Sequence, residues 1–192
     1  MNYKELLEKE INQLKNIPVN AISGLVSQII NYRNHGNIIT SGMGKAGQIA
    51  NMFSTTLCST GISSYFLHPS EAQHGDLGMI RENDILIVFS NSGKTKEILE
   101  LIDLVHNLEY GNYVYAIVGK SNELIQLKCA DYVEFGPVEE ICPLDLTPTT
   151  STTCMSVISD LIVVGLMKHY NFTKLEYSKL HHAGYLGEKS RS

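Results

Sequence analysis

Two short turns rich in glycine and hydroxyl residues carry the side chains with the clearest chemistry in this sequence. The first runs from Thr40 to Gly47 (TSGMGKAG) and the second from Ser90 to Thr95 (SNSGKT). Each turn follows a short apolar run typical of a β-strand and precedes a segment with helical spacing of its apolar residues. A turn between a strand and a helix offers unpaired backbone N–H groups and the positive end of the helix dipole to an anion. The two turns therefore predict a site for a phosphorylated small molecule.

The second turn supplies more hydroxyl groups than a helix start requires. Ser90, Ser92 and Thr95 lie within six residues. One of them could simply cap the following helix, which is worth about 1 kcal/mol. Because a cap needs only one hydroxyl, we interpret the group as donors to a phosphate dianion, together with backbone N–H groups around Gly93 and Lys94. We expect Ser41 and Gly42 of the first turn to bind the same ligand.

The first turn also matches the G-x-G-x-x-G pattern of dinucleotide-binding proteins. That function requires an acidic residue about 20 positions further on, for the ribose hydroxyl. The corresponding stretch reads Phe66-Leu67-His68-Pro69, and the nearest carboxylate, Glu71, follows the proline. A P-loop is excluded because Lys45 follows Gly42 by only three residues. A phosphosugar turn is the favoured interpretation, and a purely structural turn or a nicotinamide dinucleotide site remain alternatives.

The segment from His68 to Met79 (HPSEAQHGDLGM) clusters two histidines and two carboxylates. It lacks the H-E-x-x-H spacing of zinc proteases, and Pro69 argues against a continuous helix from His68. Histidine is the commonest side-chain metal ligand, so capture of zinc by His68, with or without His74, is one interpretation. Binding of sugar hydroxyls by the same two histidines is the other.

Further candidates follow the last predicted strand. Glu140 lies in a loop at the end of the sheet where open α/β proteins bind ligands, although a loop glutamate is usually a solvated surface charge. His181 and His182 in the polar tail have the same ambiguity. The hydroxyl-rich stretch from Thr147 to Thr153 indicates a polar ligand, a subunit contact or an extended helix cap.

Alternating strands and helices must position these residues. Two helices, separated at Pro18, are predicted within residues 1–35. The predicted strands are 38–40, 63–67, 84–89, 113–118 and 132–135, and the predicted helices that follow are 46–60, 96–108, 122–128 and 151–170. The tail from 172 to 192 is expected to be polar and frayed at its end. This alternation predicts one domain over 1–192, an α/β three-layer sandwich with a five-stranded parallel sheet.

Composition excludes several classes of function. The 192 residues are 43% hydrophobic and 18% charged, as in an ordinary globular protein. The net charge of −5 argues against nucleic-acid binding, which needs a basic patch. No run approaches the ~20 apolar residues of a membrane span, and the N-terminus lacks a signal-peptide core, so we expect no membrane partner and a cytoplasmic location. The four cysteines have no C-x-x-C spacing and are expected to be free thiols.

Taken together, these segments resemble the sugar isomerase (SIS) domain, and within it the arabinose-5-phosphate isomerases, over about residues 35–188. The resemblance is carried by GMGK (42–45), HPSEAQHGDLGM (68–79), SNSG (90–93), CPL (142–144), TPTTSTT (147–153) and LG (186–187). Three features depart from the family pattern. The chain stops without the paired CBS module that members commonly carry, Lys94 stands where glutamate is usual, and the run after His181 differs from the usual His-Pro-Gly-Gly.

The resemblance implies a doubly wound, flavodoxin-like SIS fold and interconversion of D-arabinose 5-phosphate and D-ribulose 5-phosphate. The product would supply the 3-deoxy-octulosonate sugar of lipopolysaccharide or capsule. It also implies a homo-oligomer, for which we expect a tetramer with active sites shared between subunits. No cofactor would be required, and any zinc bound at His68 would inhibit. Another SIS isomerase, such as a hexulose-phosphate isomerase, and a phosphosugar-sensing module without catalysis are the competing functions.

The family's catalytically implicated positions fall on Lys45, Glu97, Glu140 and His181. Isomerisation through an enediol needs a base that moves a proton between C2 and C1 and a group that acts on the oxygens. We expect Glu140 to be that base, with its pKa raised by partial desolvation. Glu97 is the rival, and Lys45 and His181 are expected to act on the enediolate charge and on ring opening.

Overall fold

A single parallel sheet forms the centre of the molecule. The computed structural model describes residues 2–33 and 36–191. All neighbouring strands in the sheet run parallel, in the order β2-β1-β3-β4-β5. The strands are β1 Ile38–Gly42, β2 Ser64–Phe66, β3 Ile85–Ser90, β4 Tyr113–Val118 and β5 Asp131–Glu134.

Helices cover both faces of this sheet. One face carries α2, α3 and α7, and the other carries α4, α5 and α6. The helices are α1 Tyr3–Lys15, α2 Val19–Tyr32, α3 Gly44–Ser59, α4 Pro69–Ala72, α5 Lys96–Asn107, α6 Glu123–Lys128, α7 Thr150–His169, α8 Lys174–Leu180 and α9 Gly184–Arg191, with a 3₁₀ turn at Asp76–Met79. The predicted five-stranded α/β sandwich is therefore confirmed.

The alternation of side chains along the strands explains the two-sided core. In β1, Ile38 packs with α2, α3 and α7, while its neighbour Ile39 packs with α4 and α5. In β3, Ile87 packs on the face that carries α2, α3 and α7, and Leu86 packs on the opposite face. Because both faces are covered, β3 and β4 in the middle of the sheet carry apolar residues at almost every position, which is why they appear as continuous apolar runs in the sequence.

The C-terminal tail differs from the prediction. In place of a frayed polar stretch, residues 174–191 form the two helices α8 and α9, which pack against each other. Thr173 begins α8 with a capping box, in which its hydroxyl accepts a hydrogen bond from the Glu176 N–H and the Glu176 carboxylate accepts one from the Thr173 N–H. The spacing Thr-x-x-Glu is visible in the sequence and predicts such a helix start.

Helix α7 is long and apolar enough to cross a membrane by length and composition, with a mean hydropathy of 1.5 over its most apolar window. It differs in this respect from the expectation that no segment approaches a membrane span. Half of that window is buried inside the fold, against α2 and α3. Its apolarity therefore has a structural cause in the core of the sandwich.

Candidate active site

The strand order places the two glycine-and-hydroxyl turns side by side. β1 and β3 are neighbours, and the chain leaves β1 towards α3 on one face and β3 towards α5 on the other. In open parallel sheets a crevice forms at the carboxyl ends of two strands whose connections diverge in this way. The turns after β1 and β3 therefore border the same crevice, as the sequence predicts.

A cleft of about 390 Å³ occupies this position. Three segments form its walls: the start of α3, the turn after β3, and the start of α7. The lining residues that bear polar side chains are Lys45, Ser90, Asn91, Ser92, Thr95, Ser151 and Thr152. None of the cap residues of α3, α5 and α7 (Met43, Thr95 and Thr149) makes a side-chain capping hydrogen bond. The N-termini of three helices, where the helix dipole favours negative charge, thus converge on the cleft.

The turn after β3 has its hydroxyl groups arranged as donors. Ser90 Oγ accepts a hydrogen bond from the Gly93 N–H at 3.1 Å, and Ser92 Oγ accepts one from the Lys94 N–H at 3.1 Å. The hydroxyls of Ser90 and Thr95 lie 2.9 Å apart. An oxygen that accepts a backbone N–H retains its own hydrogen to donate. One hydrogen is used in the contact between Ser90 and Thr95, so the turn can present the Ser92 hydroxyl hydrogen and one hydrogen from that pair to an anion in the cleft.

Gly93 shapes this turn and does not offer its own amide. It has a φ of +64°, and a Cβ at this position would lie 2.6 Å from the carbonyl oxygen of Lys120. The N–H groups of Gly93 and Lys94, which we expected to contact phosphate, donate to the two serine hydroxyls instead. The serine hydroxyls, and not these backbone N–H groups, are therefore the groups available to bind phosphate.

The first turn owes its glycines to packing between β1 and α3. A Cβ on Gly47 would lie 2.4 Å from the carbonyl oxygen of Gly42, and Gly44 has a φ of +56°. These contacts account for the G-x-G-x-x-G pattern without a dinucleotide. They also give Gly42 a packing role, and Gly42 itself does not line the cleft.

Ser41 is the candidate that the structure moves out of the site. Its side chain is fully buried, and its hydroxyl donates to the carbonyl oxygen of Leu67 at 2.6 Å. This bond ties the end of β1 to the end of β2. Because this hydroxyl is bonded to Leu67 and Ser41 does not line the cleft, the expectation that Ser41 holds the phosphate is not supported. Lys45, by contrast, is exposed at the rim of the cleft, with its Nζ 3.4 Å from Gln48 Oε1.

Glu140 is held at the N-terminus of α7. One carboxylate oxygen, Oε2, accepts hydrogen bonds from the Thr149 N–H at 2.7 Å, the Thr149 hydroxyl at 2.9 Å and the Ser151 N–H at 3.2 Å. The other oxygen, Oε1, accepts a hydrogen bond from the Ser151 hydroxyl. The side chain is only 9% exposed. The carboxylate thus does the capping that Thr149, the cap residue itself, does not.

These contacts reverse the predicted direction of the Glu140 pKa. Burial acts to raise the pKa of this carboxyl, but the hydrogen bonds from Ser151 and Thr149 together outweigh it and hold the pKa below its ordinary value. The expectation of a pKa raised by desolvation is therefore wrong. Glu140 also lines two clefts on the side of α1, of about 230 and 350 Å³, and not the cleft beside the phosphate turn.

Glu97 lies two residues after Thr95, which lines the cleft, whereas His181 lies in the C-terminal tail. Glu97 is half-buried in the first turn of α5, directly after Thr95 and Lys96. His181 ends α8, where its ring stacks on Tyr177 with 3.7 Å between centroids.

The tail that carries His181 packs at the far ends of α3 and α7. Phe172 lies against Gly61, just past the end of α3. The 16 residues of α3 correspond to a length of about 24 Å between that end and the cleft. The structure therefore does not bring His181 to the cleft of its own chain.

His68 and His74 occupy the segment after β2. His68 is half-buried and packs edge-on against Phe66, with 6.3 Å between centroids. Its Nδ1 is buried and has no hydrogen-bond partner among the described residues. His74 is exposed. Within residues 2–33 and 36–191, no group of three or more His, Cys, Asp or Glu side chains is arranged to hold a metal ion.

Comparison with known proteins places this geometry in a family. The SIS domain profile matches residues 31–164. A crystal structure from Bacteroides fragilis NCTC 9343, of a protein provisionally assigned as a phosphosugar isomerase involved in capsule formation, is 51% identical, with a TM-score of 0.91 over 95% of this chain and 97% of that one. A structure of an E. coli CFT073 protein in complex with arabinose 5-phosphate is 30% identical, with a TM-score of 0.84 over 93% of this chain and 95% of that one. The chain belongs to the SIS domain family.

Curated relatives carry a more specific name. Arabinose 5-phosphate isomerase KpsF of Escherichia coli is 37% identical over 188 residues, which are 97% of this chain and 59% of the relative. Two further E. coli proteins of that name are 36% identical, and the chain spans 57% of each. The chain therefore spans less than three fifths of the length of these relatives.

Two residues that hold Glu140 were not identified from the sequence as its partners. Thr149 and Ser151 lie in the hydroxyl-rich stretch for which the sequence predicts a polar ligand, a subunit contact or an extended cap. The signal was the excess of hydroxyl groups ahead of an apolar helix. The sequence pattern does not show that the loop after β5 folds back and brings Glu140 into contact with Thr149 and Ser151.

Proposed function

We propose that this SIS domain interconverts D-arabinose 5-phosphate and D-ribulose 5-phosphate. The observation that carries the proposal is the cleft between β1 and β3, with phosphate donors on one wall, Lys45 at its rim and the Ser151–Glu140 pair behind its third wall. The similarity to relatives named arabinose 5-phosphate isomerase, and to a protein solved with arabinose 5-phosphate bound, supports this substrate over other phosphosugars.

The phosphate would be held by Ser90, Ser92 and Thr95. Three hydroxyls and the positive end of α5 suit a compact dianion without burying several cations beside it. A phosphate anchored there places the carbon chain of a pentose towards Lys45 and the start of α7, since these segments form the rest of the cleft. His68 and His74 would contact sugar hydroxyls.

The reaction itself requires two kinds of proton movement. A base removes a proton from C2 and delivers one to C1, and a proton moves from O2 to O1. Glu140 is our candidate base. Because its pKa is lowered, it is ionised at neutral pH and ready to accept a proton.

Glu97 remains the rival base. It lies in the first turn of α5, next to the residues assigned to phosphate. The helix dipole there stabilises the carboxylate and so weakens it as a base, as the donors at the start of α7 do for Glu140. We rank Glu97 second because it lies next to the phosphate turn, whereas Glu140 is bonded to Ser151 on the opposite wall of the cleft.

His181 would act on the cleft of a neighbouring subunit. Its own chain holds it about one α3 length away from its own cleft, so a role in ring opening requires a second copy. We therefore propose a homo-oligomer, a tetramer, in which the tail of one chain completes the site of another. Lys45 would stabilise the charge of the enediolate.

We propose that this chemistry needs no metal and that zinc bound at His68 inhibits by occupying a substrate contact. Activity that disappears on chelation and returns with added zinc would contradict this. We further propose that the reaction takes place in the cytoplasm and supplies a 3-deoxy-octulosonate sugar for lipopolysaccharide or capsule.

The substrate assignment is tested by a panel of phosphosugars. We expect ketose formation from arabinose 5-phosphate and not from hexose phosphates, with 3-hexulose 6-phosphate as the comparison for a hexulose-phosphate isomerase. Tight binding of arabinose 5-phosphate without turnover would favour the sensing module. Turnover of the hexulose phosphate alone would replace the proposed substrate.

A further inference from the structure

Ser151 connects Glu140 to the phosphate cleft. It is the residue that both lines that cleft and donates a side-chain hydrogen bond to the Glu140 carboxylate, while Thr149 binds the carboxylate without lining the cleft. Its backbone N–H donates to the second carboxylate oxygen at 3.2 Å. Ser151 is 1% exposed, and its hydroxyl is held against the Glu140 carboxylate.

The geometry limits what Glu140 can do alone. Its carboxylate lines the two clefts beside α1, where Lys9, Asn12 and Asp145 are neighbours, and does not line the phosphate cleft. A proton from a substrate oxygen in the phosphate cleft therefore meets Ser151 before it meets Glu140. A hydroxyl can accept one proton and release its own, so it can pass a proton between two partners without a lasting change.

We propose that Ser151 is a further catalytic residue, which relays a proton between the substrate oxygens and Glu140. This inference rests on the proposed isomerisation. In the forward direction Glu140 takes a proton from C2 and passes one through Ser151 Oγ to O1, so that the carboxylate is ionised again at the enediol stage. The O2 hydroxyl then gives its proton to Ser151 Oγ while the Ser151 hydrogen moves to Glu140 Oε1, and Glu140 delivers a proton to C1. One C–H and one O–H bond are broken and one of each is formed on the substrate, Ser151 and Glu140 return to their starting states, and no further reactant is consumed.

The test is the kinetics of Ser151→Ala across the pH range, with arabinose 5-phosphate as substrate. A relay predicts that the plateau value of kcat falls by about 10²- to 10⁴-fold, the usual contribution of a positioned acid or base. KM should change by less than about tenfold, because only one neutral hydrogen bond to substrate is lost. Ser151→Thr keeps a hydroxyl and should recover kcat to within about tenfold of the unaltered protein.

A purely positioning role gives a different result. Loss of the hydrogen bond would then raise the pKa of Glu140 and move the acid limb of the profile to higher pH, with the plateau retained. That outcome overturns the relay. The matched control is Ser159→Ala, which removes a buried serine hydroxyl from the same helix, bonded only to the Met155 carbonyl, and should leave kcat unchanged.

Three further outcomes are distinguishable. Should Ser151→Ala fail to fold, as judged by circular dichroism, Ser151→Val replaces it, since it matches the shape of Ser151→Thr without the hydroxyl, and a plateau kcat within tenfold of the unaltered protein would reject the relay. An unaltered protein that turns over no arabinose 5-phosphate rejects the proposed function, and the relay with it. An active protein whose Ser151→Ala variant is equally active rejects the relay alone.

Discussion

Glu140 shows how a single carboxylate can be both part of the fold and a candidate for the chemistry. Two backbone N–H groups and two hydroxyls from Thr149 and Ser151 surround it at the start of α7. Burial alone would raise the pKa of this carboxyl, but the four hydrogen-bond donors have the larger effect and lower it. A carboxylate in this environment is charged at physiological pH. Its reactivity therefore depends on whether the substrate displaces these hydrogen-bond donors or exchanges protons through them.

The lowered pKa of Glu140 predicts how stability depends on pH. Because the carboxyl has a lower pKa in the folded chain than in the unfolded one, it stabilises the fold above the unfolded value of about 4.3. That contribution is lost as the pH falls through the folded pKa. Urea unfolding between about pH 3 and pH 7 should therefore show a steeper acid decline for the unaltered protein than for Glu140→Gln. Parallel stability curves for the two proteins would contradict the assignment.

Ser92 offers the clearest test of the phosphate turn. It is exposed at the cleft, and its oxygen accepts only the Lys94 N–H, so its removal costs the fold little. A hydrogen bond to a charged group is worth about 1.5–3 kcal/mol, so Ser92→Ala should weaken binding of the sugar phosphate by roughly 10- to 150-fold. Calorimetric titration measures this directly. Ser63→Ala, at an exposed serine ahead of β2, is the control, and equal affinities for the two variants would refute the turn as the phosphate site.

At the scale of elements, the junction of β1 and α3 shows that a familiar motif can have a packing origin. Gly42 and Gly47 approach so closely that neither tolerates a side chain, and Gly44 supplies a left-handed turn in open space. The three glycines bring the N-terminus of α3, with Lys45, to the rim of the cleft. The motif therefore serves the site by positioning a helix.

This difference in glycine roles is measurable. In Gly47→Ala the new methyl group meets the backbone of Gly42, which cannot yield without moving β1 or α3, so we expect a loss of about 1–3 kcal/mol or more in the free energy of unfolding. In Gly44→Ala only the left-handed conformation is penalised, by about 1 kcal/mol. Chemical denaturation of both variants compares them. A Gly44→Ala variant less stable than Gly47→Ala would show that the close contact is not the constraint.

The elements were predictable from the sequence to different degrees. Strands buried on both faces, such as β3 and β4, produce continuous apolar runs, and the shorter strands still contain apolar stretches, so all five were found with bounds that differ by at most two residues. Helices α8 and α9 were missed because they are polar and bury almost nothing, which removes the periodic signal. In the site, the turn after β3 was identified from local residue types. The partners of Glu140 depend on how a loop folds over α7, and no local pattern encodes that.

At the scale of the whole molecule, a single chain leaves apolar surface uncovered. None of the residues Tyr3–Lys15 in α1 is buried, and Tyr3, Leu7 and Ile11, four residues apart on one side of the helix, are 77%, 59% and 42% exposed. The outer face of α7 adds Leu161 and Val164. Exposed apolar surface of this kind marks association sites. Together with the remote position of His181, it supports the proposed oligomer.

Mixing two inactive variants tests whether subunits share a site. Glu140→Gln and His181→Asn each damage a different half of the proposed site. If His181 acts on a neighbouring subunit, chains mixed after mild unfolding should regain about a quarter of the unaltered activity, because randomly paired chains restore one intact site in every four. Analytical ultracentrifugation confirms that mixed oligomers have formed. Mixed oligomers with no recovered activity would contradict a shared site.

The central claim, isomerisation through an enediol with Glu140 as the base, is tested most directly by following solvent deuterium into C1 of ribulose 5-phosphate. We expect the unaltered protein to incorporate deuterium while it interconverts the two pentose phosphates. Glu140→Gln should abolish incorporation and still bind the substrate, while Glu97→Gln should retain incorporation. Exchange that survives Glu140→Gln and disappears in Glu97→Gln would reverse the two roles. An unaltered protein that neither exchanges C1 nor forms ribulose 5-phosphate would contradict the account itself.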